Sequence, residues 1–185
     1  MFSFKKFKNQ KGAMFGLDAR VALAIFGGLS VIAGAAVISS ITETNVTALT
    51  TEFDNISKGY INQVFDTGVD TVTFDDLLAD SGAVSWNGPY LTVASDNQVR
   101  FGTYSLGEGP DAAAANPTGA ACVGICYIWL ELTQVPTPIA ELLDEAIDGT
   151  DPADAANGNF RFVDTAGTSV TRYKLSRCQG RGPCV

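Results

Sequence analysis

The chain has 185 residues, 46% of them hydrophobic, which is enough for one globular domain with a buried core. Its formal net charge of −8 is unevenly distributed, because 4 of the 12 basic residues precede Met14 and all 20 acidic residues follow it. Such an acidic surface repels phosphate backbones, so we expect no nucleic-acid partner.

A basic leader and an apolar run come first. The lysine-rich residues 1–13 lead into residues 21–41, which carry no charge. At about 1.5 Å per helical residue, this apolar segment matches the roughly 30 Å hydrocarbon core of a bilayer. Lysines beside such a helix predict a cytoplasmic N-terminus and an exported remainder. We therefore divide the chain into a leader (1–13), a long helix (14–68) that contains the apolar segment (21–41), and a head (69–185).

Residues 11–18, Lys-Gly-Ala-Met-Phe-Gly-Leu-Asp, carry a family resemblance. They resemble the class III leader of bacterial type IV pilins and type II secretion pseudopilins. The resemblance implies that a prepilin peptidase cuts between Ala13 and Met14, that the new amine is methylated, and that Asp18 becomes the fifth residue. Alanine replaces the usual glycine before the cut, and aspartate replaces the usual glutamate. A cut after Gly12 would restore the glycine but would move Asp18 one place too far.

The resemblance also implies an assembly role for Asp18 and Arg20. In pilins the acidic residue at the fifth position meets the N-terminal amine of a neighbouring subunit. A carboxylate at the start of a membrane helix is costly unless it is paired, and Arg20 is a second candidate partner. Alternatively, Arg20 reaches the cytoplasmic interface. In the simplest alternative, both residues merely flank an ordinary membrane anchor.

Beyond the apolar segment the helix becomes amphipathic. One helix from about residue 15 to about residue 65 would be roughly 75 Å long, with Gly68 as its C-terminal cap. A short helical piece at 74–78 and the string Trp86-Asn87-Gly88-Pro89-Tyr90-Leu91 follow in an order that resembles major pseudopilins. The apolar stripe of the helix recurs at three- and four-residue steps and is expected to pack on a sheet: Leu49, Phe53, Ile56, Tyr60 and Val64.

The predicted fold class is α+β and pilin-like, with one long N-terminal α-helix packed on a small antiparallel β-sheet. Residues 107–121 are rich in Gly, Ala, Pro and Asn and predict a loop. A short helix capped by Thr137 is expected after Pro136, with Ile139, Leu142, Leu143, Ala146 and Ile147 facing inward. The predicted strands are a hairpin of 90–94 with 99–106, a strand at 126–133, and a hairpin of 159–164 with 169–177.

Four cysteines lie in the head. An even number in an exported domain favours two disulfides over zinc, because the spacings are unlike those of common zinc sites and the chain has no histidine. An antiparallel arrangement of 126–133 with 169–177 would bring Cys126 beside Cys178 and leave Cys122 for Cys184. The local pairing of 122 with 126 and 178 with 184 stays open.

A loop rich in acidic residues follows the predicted short helix. Oxygen ligands of this type bind calcium, and the family resemblance also implies a calcium ion in the head, so Asp148, Asp151 and Asp154 form a candidate site. The alternative is a solvated acidic loop without a cofactor. No catalytic constellation is present in the sequence, because the chain has no histidine and no glycine-rich phosphate loop follows a strand. We therefore expect no enzyme activity.

Three functions are compatible with this organisation. The first is a structural subunit that waits in the inner membrane and joins a homo-oligomeric helical filament, extracellular or periplasmic, with the help of pilus assembly machinery. The second is a single-pass membrane protein whose exported head binds a ligand or partner. The third is an exported soluble protein cut near Ala36.

Overall fold

The computed structural model describes residues 11–111, 118, 124–149 and 156–179. The chain divides into two compact units, Met1–Glu43 and Thr44–Val185. Helix α1, Lys11–Thr67, contributes to both. The architecture is α+β, as predicted, with a long N-terminal helix and an antiparallel sheet.

The sheet belongs to the second unit. Within the described residues it has the strand order β1-β2-β3-β5-β4, and all neighbours are antiparallel. A 3₁₀ turn at Phe74–Leu77 and helix α2, Thr137–Asp148, accompany it. The strands are β1 Asn97–Gln98, β2 Gly102–Pro110, β3 Cys126–Pro136, β4 Phe160–Thr165 and β5 Thr168–Arg177.

The predicted apolar stripe of α1 forms the centre of the core. Leu49, Phe53, Ile56 and Tyr60 are each at most 2% exposed, and Val64 packs against them. The ring of Phe53 stacks on those of Tyr173 and Phe160, with centroids 5.6 and 6.2 Å apart, and meets Tyr104 edge-on. The 3.6-residue period of the sequence therefore identified the buried face of this part of α1.

Gly59 within α1 and Gly68 directly after it are required by the backbone. At Gly59 a Cβ atom would lie 2.6 Å from Leu91 Cδ2 and 2.9 Å from the carbonyl oxygen of Tyr90, so only glycine allows the following segment to pass so close. Gly68 adopts φ 69° and donates its N–H to the carbonyl oxygen of Val64 at 2.8 Å. This is the left-handed cap predicted for the end of the helix.

The first predicted hairpin is wrong. Residues 90–94 form no strand; the N–H groups of Tyr90 and Leu91 instead donate to the carbonyl oxygen of Leu77. β2 pairs with the two-residue β1, and the Gln98 side-chain oxygen closes the turn by accepting the N–H groups of Arg100 at 2.6 Å and Phe101 at 3.0 Å. β2 also continues to Pro110, where a loop was predicted, because it pairs with β3 along that length.

The predicted strand at 126–133 is confirmed and is longer than expected. β3 continues to Pro136, with a register shift between Leu132 and Val135 and with Gln134 at φ 61°. The second predicted hairpin is confirmed as β4 and β5. Its turn uses Ala166 at φ 57° and Gly167 at φ 91°, and β5 lies antiparallel to β3 as expected.

Helix α2 differs from its prediction in two respects. Thr137 is its first residue rather than its cap, and its hydroxyl donates to Asp164 Oδ1 at 2.6 Å. The buried face includes Ile139 and Leu143 as predicted, but Leu142 and Ala146 are exposed. Ala140 and Asp144 are buried in their place. The buried face of α2 is therefore rotated around the helix axis, by about one residue position, from the most apolar face.

Candidate functional site

The apolar segment of α1 is the candidate functional site. An 18-residue window of this helix has a mean hydropathy of 2.4 and no buried residue. Its large hydrophobic side chains are 55–74% exposed. The lowest exposure is 55%, at Val21 and Ile41, and the highest is 74%, at Val31. Helix length and composition are sufficient for crossing a membrane, although signal sequences share both properties. So large an apolar surface requires lipid or another apolar surface as its cover.

The glycines of this segment leave open space on its surface. A Cβ atom added at Gly27, Gly28 or Gly34 would meet nothing within 4 Å. Packing within the chain therefore does not require glycine at these positions, in contrast to Gly59. Small residues on an apolar helix permit the close approach of a second helix.

Asp18 and Arg20 are both exposed at the start of the apolar segment. Residues two apart on a helix point to different sides, and no ion pair joins these two side chains in the described part of the chain. Each is therefore available to another group. The cut predicted between Ala13 and Met14 falls within α1 and stays a prediction.

Two of the four cysteines lie in the described residues. Cys126 begins β3, Cys178 follows β5, and the N–H of Cys178 donates to the carbonyl oxygen of Cys126 at 2.9 Å, so the two are neighbours as predicted. Neither is a free cysteine. The described residues contain no cysteine pair at disulfide distance. Cys122 and Cys184 lie outside the described residues, and the disulfide pairing stays a prediction.

Asp148, one of the three candidate calcium ligands, binds the backbone of the head. Its two carboxylate oxygens accept the N–H groups of Asn159 at 3.0 Å and Phe160 at 2.6 Å, and a Cβ atom at Gly158 would clash with it. Asp148 therefore joins the end of α2 to the start of β4. Asp151 and Asp154 lie outside the described residues, so the calcium site stays a prediction.

Replacing Asp148 with alanine is expected to lower the free energy of unfolding by about 1–3 kcal/mol, because two backbone N–H groups lose their acceptor. Asp148→Asn retains one acceptor oxygen and should cost less. Chemical denaturation of the full chain with and without added Ca²⁺ measures both effects. An unchanged stability in Asp148→Ala would contradict this role. A Ca²⁺-dependent rise in wild-type stability that is absent from Asp148→Ala would support the predicted calcium site.

Asp70 is a buried polar residue that the sequence did not single out. It is 1% exposed, and its carboxylate accepts the N–H of Gln179 at 2.7 Å and the hydroxyl of Tyr60 at 3.4 Å. Burial raises the pKa of the Tyr60 hydroxyl, and the negative charge of Asp70 raises it further. Burial likewise raises the pKa of Tyr104, with a further contribution from Glu52.

These two tyrosines predict a loss of stability in alkali. Above pH 10 the unfolded chain releases both phenolic protons while the folded chain retains them. Their contribution is therefore complete below pH 10 and falls by up to about 1.4 kcal/mol per pH unit for each tyrosine above it. Urea denaturation between pH 9 and pH 12 measures the slope. The Tyr60→Phe/Tyr104→Phe double variant should show a shallower slope, and an identical slope would contradict the prediction.

A charged cluster covers the sheet face opposite α1. Arg161 is 1% exposed, donates to Asp111 at 2.8 Å and lies 4.5 Å from the ring centroid of the fully buried Trp129. Lys174 also pairs with Asp111. The alternation of side chains along β4 and β5 places Arg161 and Lys174 on the same face of the sheet, and the sequence predicts this alternation. The sequence does not predict their partners. The ion pair and the aromatic ring offset the cost of burying the guanidinium.

The described residues contain no group of three or more His, Cys, Asp or Glu side chains placed to hold a metal ion. Comparisons with protein-family models, with curated proteins and with solved structures find nothing that matches this chain.

Proposed function

We propose that this protein is a structural subunit of a pilin-like filament, assembled through the apolar segment of α1. The observation that carries the proposal is a contrast within one helix. Residues 49–60 place their apolar stripe in the core of the head, whereas none of the apolar side chains of residues 21–41 is buried. Residues 49–60 thus belong to the core of a globular unit. Residues 21–41 present an apolar surface that favours association with lipid or with other helices.

Helix–helix packing would drive assembly. In a bilayer the apolar segment is already covered by lipid, so association depends on van der Waals contact between closely packed helices. The open surfaces at Gly27, Gly28 and Gly34 would provide close approach. Asp18 would set the register between subunits by meeting the N-terminal amine of a neighbour, as the resemblance to pilin leaders implies.

Intact-mass measurement of the protein isolated from its native membrane tests this proposal. The expected mature chain begins at Met14 and retains the apolar segment. A chain that still begins at Met1 would contradict the proposal and favour a single-pass membrane protein. A chain that begins near residue 36 would instead favour an exported soluble protein, because the apolar segment would have been removed.

A further inference from the structure

The turn between β1 and β2 has an unusual surface. Val99, at its tip, is 97% exposed, which is the highest exposure among the large hydrophobic side chains of the described residues. Arg100, next to it, is also exposed. A single exposed valine is common on protein surfaces. Here it adjoins a cation in a chain whose acidic residues outnumber its basic ones by 20 to 12.

Side-chain contacts attach this turn to the first residues of α1 in the second unit. Arg100 Nη1 donates to Asn45 Oδ1, and Gln98 Nε2 donates to Glu52 Oε2 at 3.3 Å. Asn45 follows Ile41, the last residue of the apolar segment, by four positions. Four residues span at most about 14 Å in any conformation. The polar layer on each side of a bilayer is roughly 5–7 Å thick. Asn45 can therefore lie within that layer or at most about 7–9 Å beyond it, and Arg100 is hydrogen-bonded to Asn45.

We propose that the β1–β2 turn, residues 97–102, is a membrane-contact element of the precursor. While the apolar segment occupies the bilayer, Val99 enters the headgroup layer and the Arg100 guanidinium binds a lipid phosphate. This inference rests on one part of the proposed function, the insertion of the precursor in the membrane, and does not require that the filament forms. Asn45 accepts a hydrogen bond from one guanidinium nitrogen. A guanidinium has five donors in a fork that fits phosphate oxygens, so donors remain for the lipid.

Photocrosslinking of the full-length chain in bilayers tests this contact. Val99 is replaced by p-benzoylphenylalanine, and the chain is reconstituted in vesicles of phosphatidylethanolamine and phosphatidylglycerol. The matched control carries the same residue at Val84, which is 86% exposed and lines a cavity with Gln63 and Thr67 near the other end of this part of α1. After irradiation, mass spectrometry should detect at least about fivefold more lipid adduct at position 99 than at position 84.

The charge of Arg100 is tested in the same vesicles. One arginine near an anionic membrane surface favours contact by about fivefold, so Arg100→Gln should reduce lipid adducts at position 99 by that factor. Near-UV circular dichroism of each variant establishes that the head is folded. Equal adduct yields at positions 99 and 84 would overturn the proposal. Crosslinks from position 99 to a second copy of the chain, in place of lipid, would also overturn it.

Electron microscopy of native cells that carry the position-99 variant, alongside the vesicle crosslinks, separates this inference from the proposed function. Filaments without lipid adducts at position 99 would contradict the membrane-contact element alone. Lipid adducts without filaments, under conditions in which the mature chain is present, would contradict the filament proposal and support the membrane contact.

Discussion

Replacing Asp18 with alanine is expected to abolish filament assembly and to leave the chain inserted in the membrane. Under the proposed function, the Asp18 carboxylate compensates the positive N-terminal amine of a neighbouring subunit in a low-dielectric environment. Removing one partner of such a pair leaves the other charge without compensation. We expect at least about a tenfold reduction in the amount of filament, measured by electron microscopy and sedimentation.

Two variants serve as controls for this experiment. Asp18→Glu retains the charge and should assemble, because glutamate is the usual residue in pilin leaders. Asp54→Ala removes an exposed carboxylate from the same helix, within the second unit, and should also assemble. Normal filaments from Asp18→Ala would contradict the assembly role and favour an ordinary membrane anchor.

Replacing Phe53 with alanine is expected to produce the largest loss of stability in the head. This side chain is 2% exposed and contacts three aromatic rings from three strands: Tyr104, Phe160 and Tyr173. Its truncation removes buried apolar surface and leaves a cavity, which costs about 3–5 kcal/mol. For a unit of this size, the midpoint of thermal unfolding should fall by roughly 10–15 °C.

Phe65→Ala is the matched control, because Phe65 lies on the same helix and is 82% exposed. Its free energy of unfolding should change by less than about 0.5 kcal/mol. Near-UV circular dichroism of the full chain in detergent follows the aromatic core of the head during heating. Equal shifts in the two variants would show that the Phe53 ring cluster does not hold the helix on the sheet.

Hydrophobic periodicity predicted the parts of the fold that depend on local sequence. The stripe from Leu49 to Tyr60 recurs at helical spacing, so its buried face could be predicted without knowledge of the sheet. The hairpin predicted for 159–164 with 169–177 is present as β4 and β5, and its turn uses Ala166 and Gly167, which both adopt positive φ. The lack of charge in residues 21–41 likewise predicted the apolar segment, which has no buried residue in its most apolar window.

Local patterns failed where a distant partner decides the conformation. Residues 107–110 have loop composition, but hydrogen bonds to β3 extend β2 through them. The hydroxyl of Thr137 resembles a helix cap, yet Asp164 lies close enough to accept its proton instead. In both cases a contact across many residues outweighs a weak local preference.

The sequence alone therefore determined the long helix, the two faces of its second part and the antiparallel character of the head, because these depend on residue spacing along the chain. Only the tertiary structure decided the contacts of Asp70, Asp148 and Arg161. It also placed the β1–β2 turn beside Asn45. These features join residues that are from 10 to 109 positions apart. Proximity at such separations results from the packing of whole elements, and no periodic pattern in the sequence encodes it.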